Sequence, residues 1–174
     1  NSQPLGFYSY SELIQDAQLH GVQVLPVDVM HSMVDCTMEY NGSTQPAVRL
    51  GLRLVKQLSQ PQSERLVQAR EAAPFISAED LALRARLDTP AMQQLAAADA
   101  LASLEAHRLN QLWQAAAPRH SGPLLQAAAI HECHLELPSA AEQEDIHWDY
   151  AALGLSLRRH PLALLRERLQ RHQF

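Results

Sequence analysis

The sequence predicts a mainly α-helical chain with a small β section near its N-terminus. Three observations carry this. The chain holds 28 leucines and 26 alanines in 174 residues, a helical bias. Period-two apolar patterning is confined to residues 22–55. Beyond residue 56, capping residues and prolines recur at intervals that suit successive short helices.

The first helix begins at Ser9, an N-cap with Glu12 three residues on as a capping box, and Gly21 closes it. Leu13, Ile14 and Ala17 are its expected buried stripe. Val22 to Val29 reads as a short strand interrupted at Pro26, and Asp35 to Tyr40 as a second strand followed by an Asn41-Gly42 turn. Ala47 to Val55 reads as a third, with Val48, Leu50, Leu52 and Leu54 alternating. Pro61 suits the first turn of a helix over 61–70, which Pro74-Phe75 ends. Ser77 caps a helix to about Ala85, and Asp88-Thr89-Pro90 starts another to about Ala98. Asp99 to Leu101 is a tight connection into a helix over Ser103–Ala116, with Leu104, Leu109, Leu112 and Trp113 as its apolar side. Residues 118–123 read as a loop, 138–160 as an extended polar arm, and Pro161 as the start of a final amphipathic helix.

Length and composition exclude several classes. An apolar content of 47% argues against wholesale disorder, and no apolar run can span a membrane as a helix. Cys36 and Cys133 form no disulfide framework, so a reducing cytoplasm is the default. The chain opens at Asn1 inside ordinary sequence, as expected of a piece of a larger protein. The net charge of −5 is unevenly spread. Residues 1–48 carry five acids and no Lys or Arg; residues 49–70 carry Arg49, Arg53, Lys56, Arg65 and Arg70 against Glu64 alone. A second basic island lies at 158–171. Two basic islands in an acidic chain point to local anion contacts.

A weak repeat links them to local structure. Val55-Lys56-Gln57-Leu58-Ser59 and Ala98-Asp99-Ala100-Leu101 are both apolar turns that precede a helix carrying an arginine, Arg65 and Arg108. A turn whose peptide N–H groups point outward at a helix N-terminus can hold a phosphate. In the first turn Lys56, Gln57, Ser59, Ser63 and Arg65 are the candidate donors; an exposed helix cap is the alternative reading. In the second, Asp99 stands where a phosphate wants a donor, which favours a structural turn. His131, Cys133 and His134 crowd too closely for a metal site, and Glu142, Glu144, Asp145 and Asp149 read as a solvated acidic stretch. No complete catalytic grouping is visible.

The sequence also resembles bacterial C-family DNA polymerases over nearly its whole length. Gly6-Phe7-Tyr8-Ser9, Leu13-Ile14-Gln15-Asp16-Ala17 and His20-Gly21-Val22 resemble the end of that family's fingers. Val48-Arg49-Leu50-Gly51-Leu52-Arg53 and Val55-Lys56 look like the start of its tandem helix-hairpin-helix region, and Leu95 to Ala100 like its second hairpin. Glu144-Asp145-Ile146, Asp149-Tyr150, Leu153 to Leu157 and His160-Pro161-Leu162 are similar to the connection before its OB domain. Asp35-Cys36-Thr37-Met38-Glu39 looks like the error-prone branch.

The resemblance implies a tandem helix-hairpin-helix domain over 48–117, preceded by the end of the fingers (1–47) and followed by a linker and helix leading toward the OB domain (118–174). It implies non-catalytic contact with the duplex backbone through Lys56, Gln57, Ser59, Ser63, Arg65 and Arg108, as part of a translesion DNA polymerase. The implied partners are primer-template DNA, other polymerase domains and mutagenesis accessory proteins. Magnesium would belong to the parent's palm carboxylates, upstream of residue 1, with no cofactor held by this segment. The family's hairpins carry glycines where Gln57 and Ser59 stand, a departure that works against close phosphate approach. The rival expectation is a protein-interaction scaffold with no DNA contact of its own.

Overall fold

The computed structural model describes residues 9–40, 42, 45–116, 140–164 and 166. Helix α1 spans Tyr10–Leu19. Its capping box forms: Glu12 N–H donates to Ser9 Oγ, and Ser9 N–H donates to the Glu12 carboxylate at 2.6 Å. That bond holds the Glu12 carboxyl below its ordinary value. The buried stripe differs from expectation. Ile14 and Ala17 are half-buried, but Leu13 is exposed, because α1 lies against β1 along one narrow side.

Three short strands follow, β1 (Val24–Leu25), β2 (Thr37–Glu39) and β3 (Ala47–Arg49). They form one sheet of order β1-β3-β2, with β1 parallel and β2 antiparallel to β3. The third strand is much shorter than its alternation suggests. After Leu50 the chain packs onto the 33–36 segment, where a Cβ on Gly51 would lie 2.6 Å from Cys36 N and Val34 O. Leu52 N–H and Arg53 N–H bond the carbonyls of Met33 and Val34, and Leu52–Leu54 turns as a single 3₁₀ turn.

Helices α2 (Gln60–Ala72), α3 (Ala78–Arg84) and α4 (Thr89–Ala97) start at side-chain caps Ser59, Ser77 and Asp88. Helix α5 spans Arg108–Ala116, not Ser103–Ala116. Residues 101–107 are tightly turned instead, with Leu104 N–H and Glu105 N–H both on Leu101 O. The side that α5 buries differs in part: Leu112, like Leu104 before the helix, packs half-buried against the core, but Arg108, Gln111 and Ala115 are the buried positions and Trp113 is 60% exposed.

The largest departure is α6, Glu142–Ala152, within the stretch expected to be an extended arm. It packs on α4 and buries Ile146, Asp149 and Ala152; Leu155 beyond it is 1% exposed. Gly154, at φ 77, ends the helix with its N–H on Tyr150 O. Residues 161–164 are helical, as Pro161 suggests. The loop expected at 118–123 lies outside the described residues. One core gathers Leu50, Leu52 and Val55 with Leu66, Leu81, Met92, Leu95, Leu101, Ala152 and Leu155. The segment after β1 is fastened to this core by polar contacts. Val29 N–H donates to Ala100 O, Ser103 Oγ to Asp28 at 2.6 Å, and Arg70 to the carbonyls of Val29 and Ser32.

Candidate nucleic-acid interface

Both turns singled out in the sequence are built on a left-handed residue that is not glycine: Gln57 at φ 62 and Asp99 at φ 56. Such a conformation costs an L-residue about 1 kcal/mol relative to glycine. The turns therefore keep the hairpin backbone despite the missing glycines, and differ in what surrounds them.

Hairpin one, residues 55–59, leads from the 3₁₀ turn into α2. Leu58 is buried beneath it, and Gln57 Oε1 accepts from Gln94 Nε2 at 3.3 Å. Ser59 is engaged in a reciprocal cap with Gln62. Pro61 has no N–H, and Ser63 N–H is bonded to Ser59 O. Among the described residues the peptide N–H groups of Gln57 and Gln60 have no partner. A cleft of about 430 Å³ adjoins this point, lined by Val34, Asp35, Arg53, Leu58, Gln60 and Ser63.

The other candidate donors are placed differently. Lys56 is exposed, but its Nζ donates to Tyr150 O and Ala151 O at 2.9 Å and its N–H to Ala152 O, so it caps the C-terminus of α6. Arg65 holds the carbonyls of Ala85 and Arg86 at the end of α3. Ser63 is fully buried with its hydroxyl on Ser59 O, and Arg108 is 5% exposed. Neither is placed to meet a surface phosphate: the buried Ser63 spends its hydroxyl on Ser59 O, and Arg108 is the centre of an internal ion network.

That network explains hairpin two. Arg108 Nη2 donates to Asp149 Oδ1 at 2.5 Å and Nη1 to Asp145 O at 2.8 Å, and Nη2 lies 3.5 Å from Asp99 Oδ2. Arg158 reaches Asp99, Asp145 and Asp149 together. Gln111 donates to Asp99 and Ser156 to Asp149. Asp99 thus faces inward as an anchor. Burial raises its pKa, outweighing the two arginines beside it. Arg108 Nε and Asp145 Oδ1 are buried without hydrogen bonds beside a cavity of about 160 Å³.

The acidic stretch is therefore not a solvated linker: Asp145 and Asp149 sit four apart on one face of α6 and both pair with Arg108, 37 and 41 positions away, and with Arg158. Their i, i+4 spacing was the available signal, with nothing local to name the partner. Among the described residues no group of three or more His, Cys, Asp or Glu is arranged to hold a metal, and the three network aspartates are taken up by two arginines. A magnesium site does not fit there. His131, Cys133 and His134 lie outside the described residues.

Two turns that share one core, the first leading directly into α2 and the second reaching α5 through residues 101–107, define a protein of the helix-hairpin-helix class. The chain belongs to that family: the family model for the helix-hairpin-helix motif matches residues 21–111. It is similar along its whole length to proteins named error-prone DNA polymerase. That of Methylococcus capsulatus is 46% identical over 100% of this chain and 18% of the relative, and that of Aromatoleum aromaticum 48% over 100% and 17%. That of Pseudomonas aeruginosa is 45% identical over 98% of this chain and 17% of its own length. The chain spans under a fifth of these curated relatives. No helix among the described residues is long and apolar enough to cross a membrane.

Proposed function

We propose that this chain is the segment of an error-prone DNA polymerase that holds the primer-template duplex by its backbone, without reading sequence and without performing the chemistry. The observation that carries this is hairpin one: a left-handed turn with unpartnered N–H groups at Gln57 and Gln60, at the start of the 13-residue α2. Lys56 adds positive charge beside it, since the carbonyls that it caps do not neutralise it. Contacts of this kind fix a duplex in position and carry no base information. Nucleotide transfer, the magnesium ions it needs, translesion and repair roles, accessory proteins and a cytoplasmic setting would belong to the parent polymerase.

Titration of a labelled duplex of arbitrary sequence at several salt concentrations tests the reading. Binding should weaken steeply with salt and vary little between sequences. Salt-independent or absent binding sinks it. Primer extension with magnesium and dNTPs should incorporate nothing; extension by the pure chain would overturn the non-catalytic assignment.

The scaffold reading has its own observation. Arg49 is paired with Glu39, Arg53 with Asp35, Arg108 with aspartates, and Arg65 and Arg70 with carbonyls, so much of the basic island serves the fold. Absence of DNA binding by a folded chain would favour it.

A further inference from the structure

The turn between α3 and α4 repeats hairpin one residue for residue. Gln57-Leu58-Ser59-Gln60-Pro61 and Arg86-Leu87-Asp88-Thr89-Pro90 each run from a left-handed non-glycine residue, through a buried leucine and a capping side chain, to a proline in the first helical turn. The two turns are also fastened together. Gln62 Nε2 donates to Asp88 Oδ1 at 3.3 Å, and the Arg65 guanidinium holds the carbonyls of Ala85 and Arg86. The helix that follows hairpin one therefore fixes the position of Arg86.

Arg86 differs from the other described arginines between 49 and 108. Arg49, Arg53 and Arg108 are paired with carboxylates, Arg65 and Arg70 with carbonyls, and Arg84 with both. Arg86 is exposed, and its guanidinium makes no hydrogen bond or ion pair with any described residue. At φ 50 it occupies a position where glycine is favoured by about 1 kcal/mol, and no hydrogen bond or ion pair of its side chain to a described residue offsets this. An unpartnered arginine has five N–H donors in a fork that matches phosphate.

We propose that Arg86 is a second backbone contact, donating to a phosphate of the same duplex that hairpin one holds, and that the turn at 85–88 takes the place hairpin two would have had. The inference rests on the duplex reading above. Hairpin two cannot supply the contact, because Asp99 and Arg108 are locked into the internal network. The binding face is thus formed by hairpin one and the α3–α4 turn.

The test compares the unsubstituted chain with Arg86→Gly and Arg86→Lys in duplex titrations across a salt series, with thermal midpoints measured on the same samples. Arg86→Gly relieves the left-handed strain, so its midpoint should hold or rise. Its affinity should fall about fivefold at low salt, and its salt slope should flatten by about one unit. Arg86→Lys keeps the charge and should retain most of the affinity. Stability and binding thus move in opposite directions, which a purely structural arginine would not produce. If the unsubstituted chain binds and Arg86→Gly matches it at every salt concentration, this inference falls alone. A fall in the Arg86→Gly midpoint worth more than about 1 kcal/mol, beyond what the added freedom of the unfolded glycine chain accounts for, would assign Arg86 to packing and overturn it as well. If the unsubstituted chain shows no salt-dependent binding, the duplex reading falls and takes this inference with it.

Discussion

Hairpins one and two share a backbone and differ in what covers them. Both place a non-glycine residue in the left-handed region, Gln57 and Asp99. Over hairpin one, the hydrogen bonds to α6 among the described residues come from Lys56, and Gln57 remains exposed. Over hairpin two, α6 and the residues after it close down through Asp145, Asp149 and Arg158, and the turn's own side chain is drawn into the network. A repeated motif therefore need not repeat its role: one copy stays open to solvent and the other becomes an internal anchor. Because α6 touches both turns, it also sets their relative position.

The sharpest way to break this contrast is at Arg108. Arg108→Met removes the more deeply buried of the two arginines set among three aspartates and leaves Asp145 and Asp149 to Arg158 alone among the described cations. Removing one member of such a group costs about 3–5 kcal/mol. The expected result is a large fall in the denaturant midpoint, with residues 142–158 losing hydrogen-exchange protection. A loss under about 1 kcal/mol would mean that the network adds little over its own desolvation.

Asp99→Asn sharpens the same point through pH. Burial puts the folded pKa of Asp99 above its ordinary value, so the unfolded chain releases this proton at lower pH than the folded chain. Within that window the folded state binds more protons, and stability falls as pH rises through it. Asparagine removes this dependence. The variant should therefore gain on the unsubstituted chain as pH climbs through and above the ordinary aspartate range, about pH 4. Denaturation midpoints across acidic to neutral pH check the sign; a gap that narrows with rising pH contradicts it. Glu39 and Glu142, held low by Arg49 and Arg159, act oppositely, and the comparison of two chains cancels them.

Lys56→Ala tests the open side. The loss of two exposed hydrogen bonds to the α6 carbonyls should cost about 1 kcal/mol. Exchange should quicken at the end of α6, read at Leu153 and Gly154, whose N–H groups bond Asp149 O and Tyr150 O. In duplex titrations the salt slope should flatten by about one unit.

What the sequence made legible was local. The capping box of Ser9 and Glu12, the caps Ser77 and Asp88, and the tight turn at Asp99 all rest on residues within four positions of each other. What it hid was long-range. Arg108 reads as a surface cation and Asp149 as a solvated acid until the chain brings them 2.5 Å apart. Lys56 is the sole lysine of a basic island, yet its bonds go to carbonyls some 94 positions away. Likewise the alternation through Leu52 and Leu54 is real, but the close approach of Gly51 to residues 34–36 turns it from strand into a 3₁₀ turn. Arg86 lay outside the expected site because its significance is the lack of a partner, which only the folded arrangement displays.

The smallest effect belongs to Gln57→Gly, and it separates shape from charge at hairpin one. Glycine takes φ 62 without the Cβ conflict, which favours the folded state by up to about 1 kcal/mol. The added freedom of the unfolded chain and the lost bond from Gln94 oppose this by a similar amount. Stability should therefore change by less than about 0.5 kcal/mol. The turn's net charge is unchanged, so the salt slope should stay the same. Removing the side chain beside the unpartnered Gln57 N–H lets a phosphate approach more closely, so affinity should hold or rise at every salt concentration. A fall in affinity at constant slope would show that the amide side chain itself meets the duplex, and would move the contact from the backbone of hairpin one to its side chains.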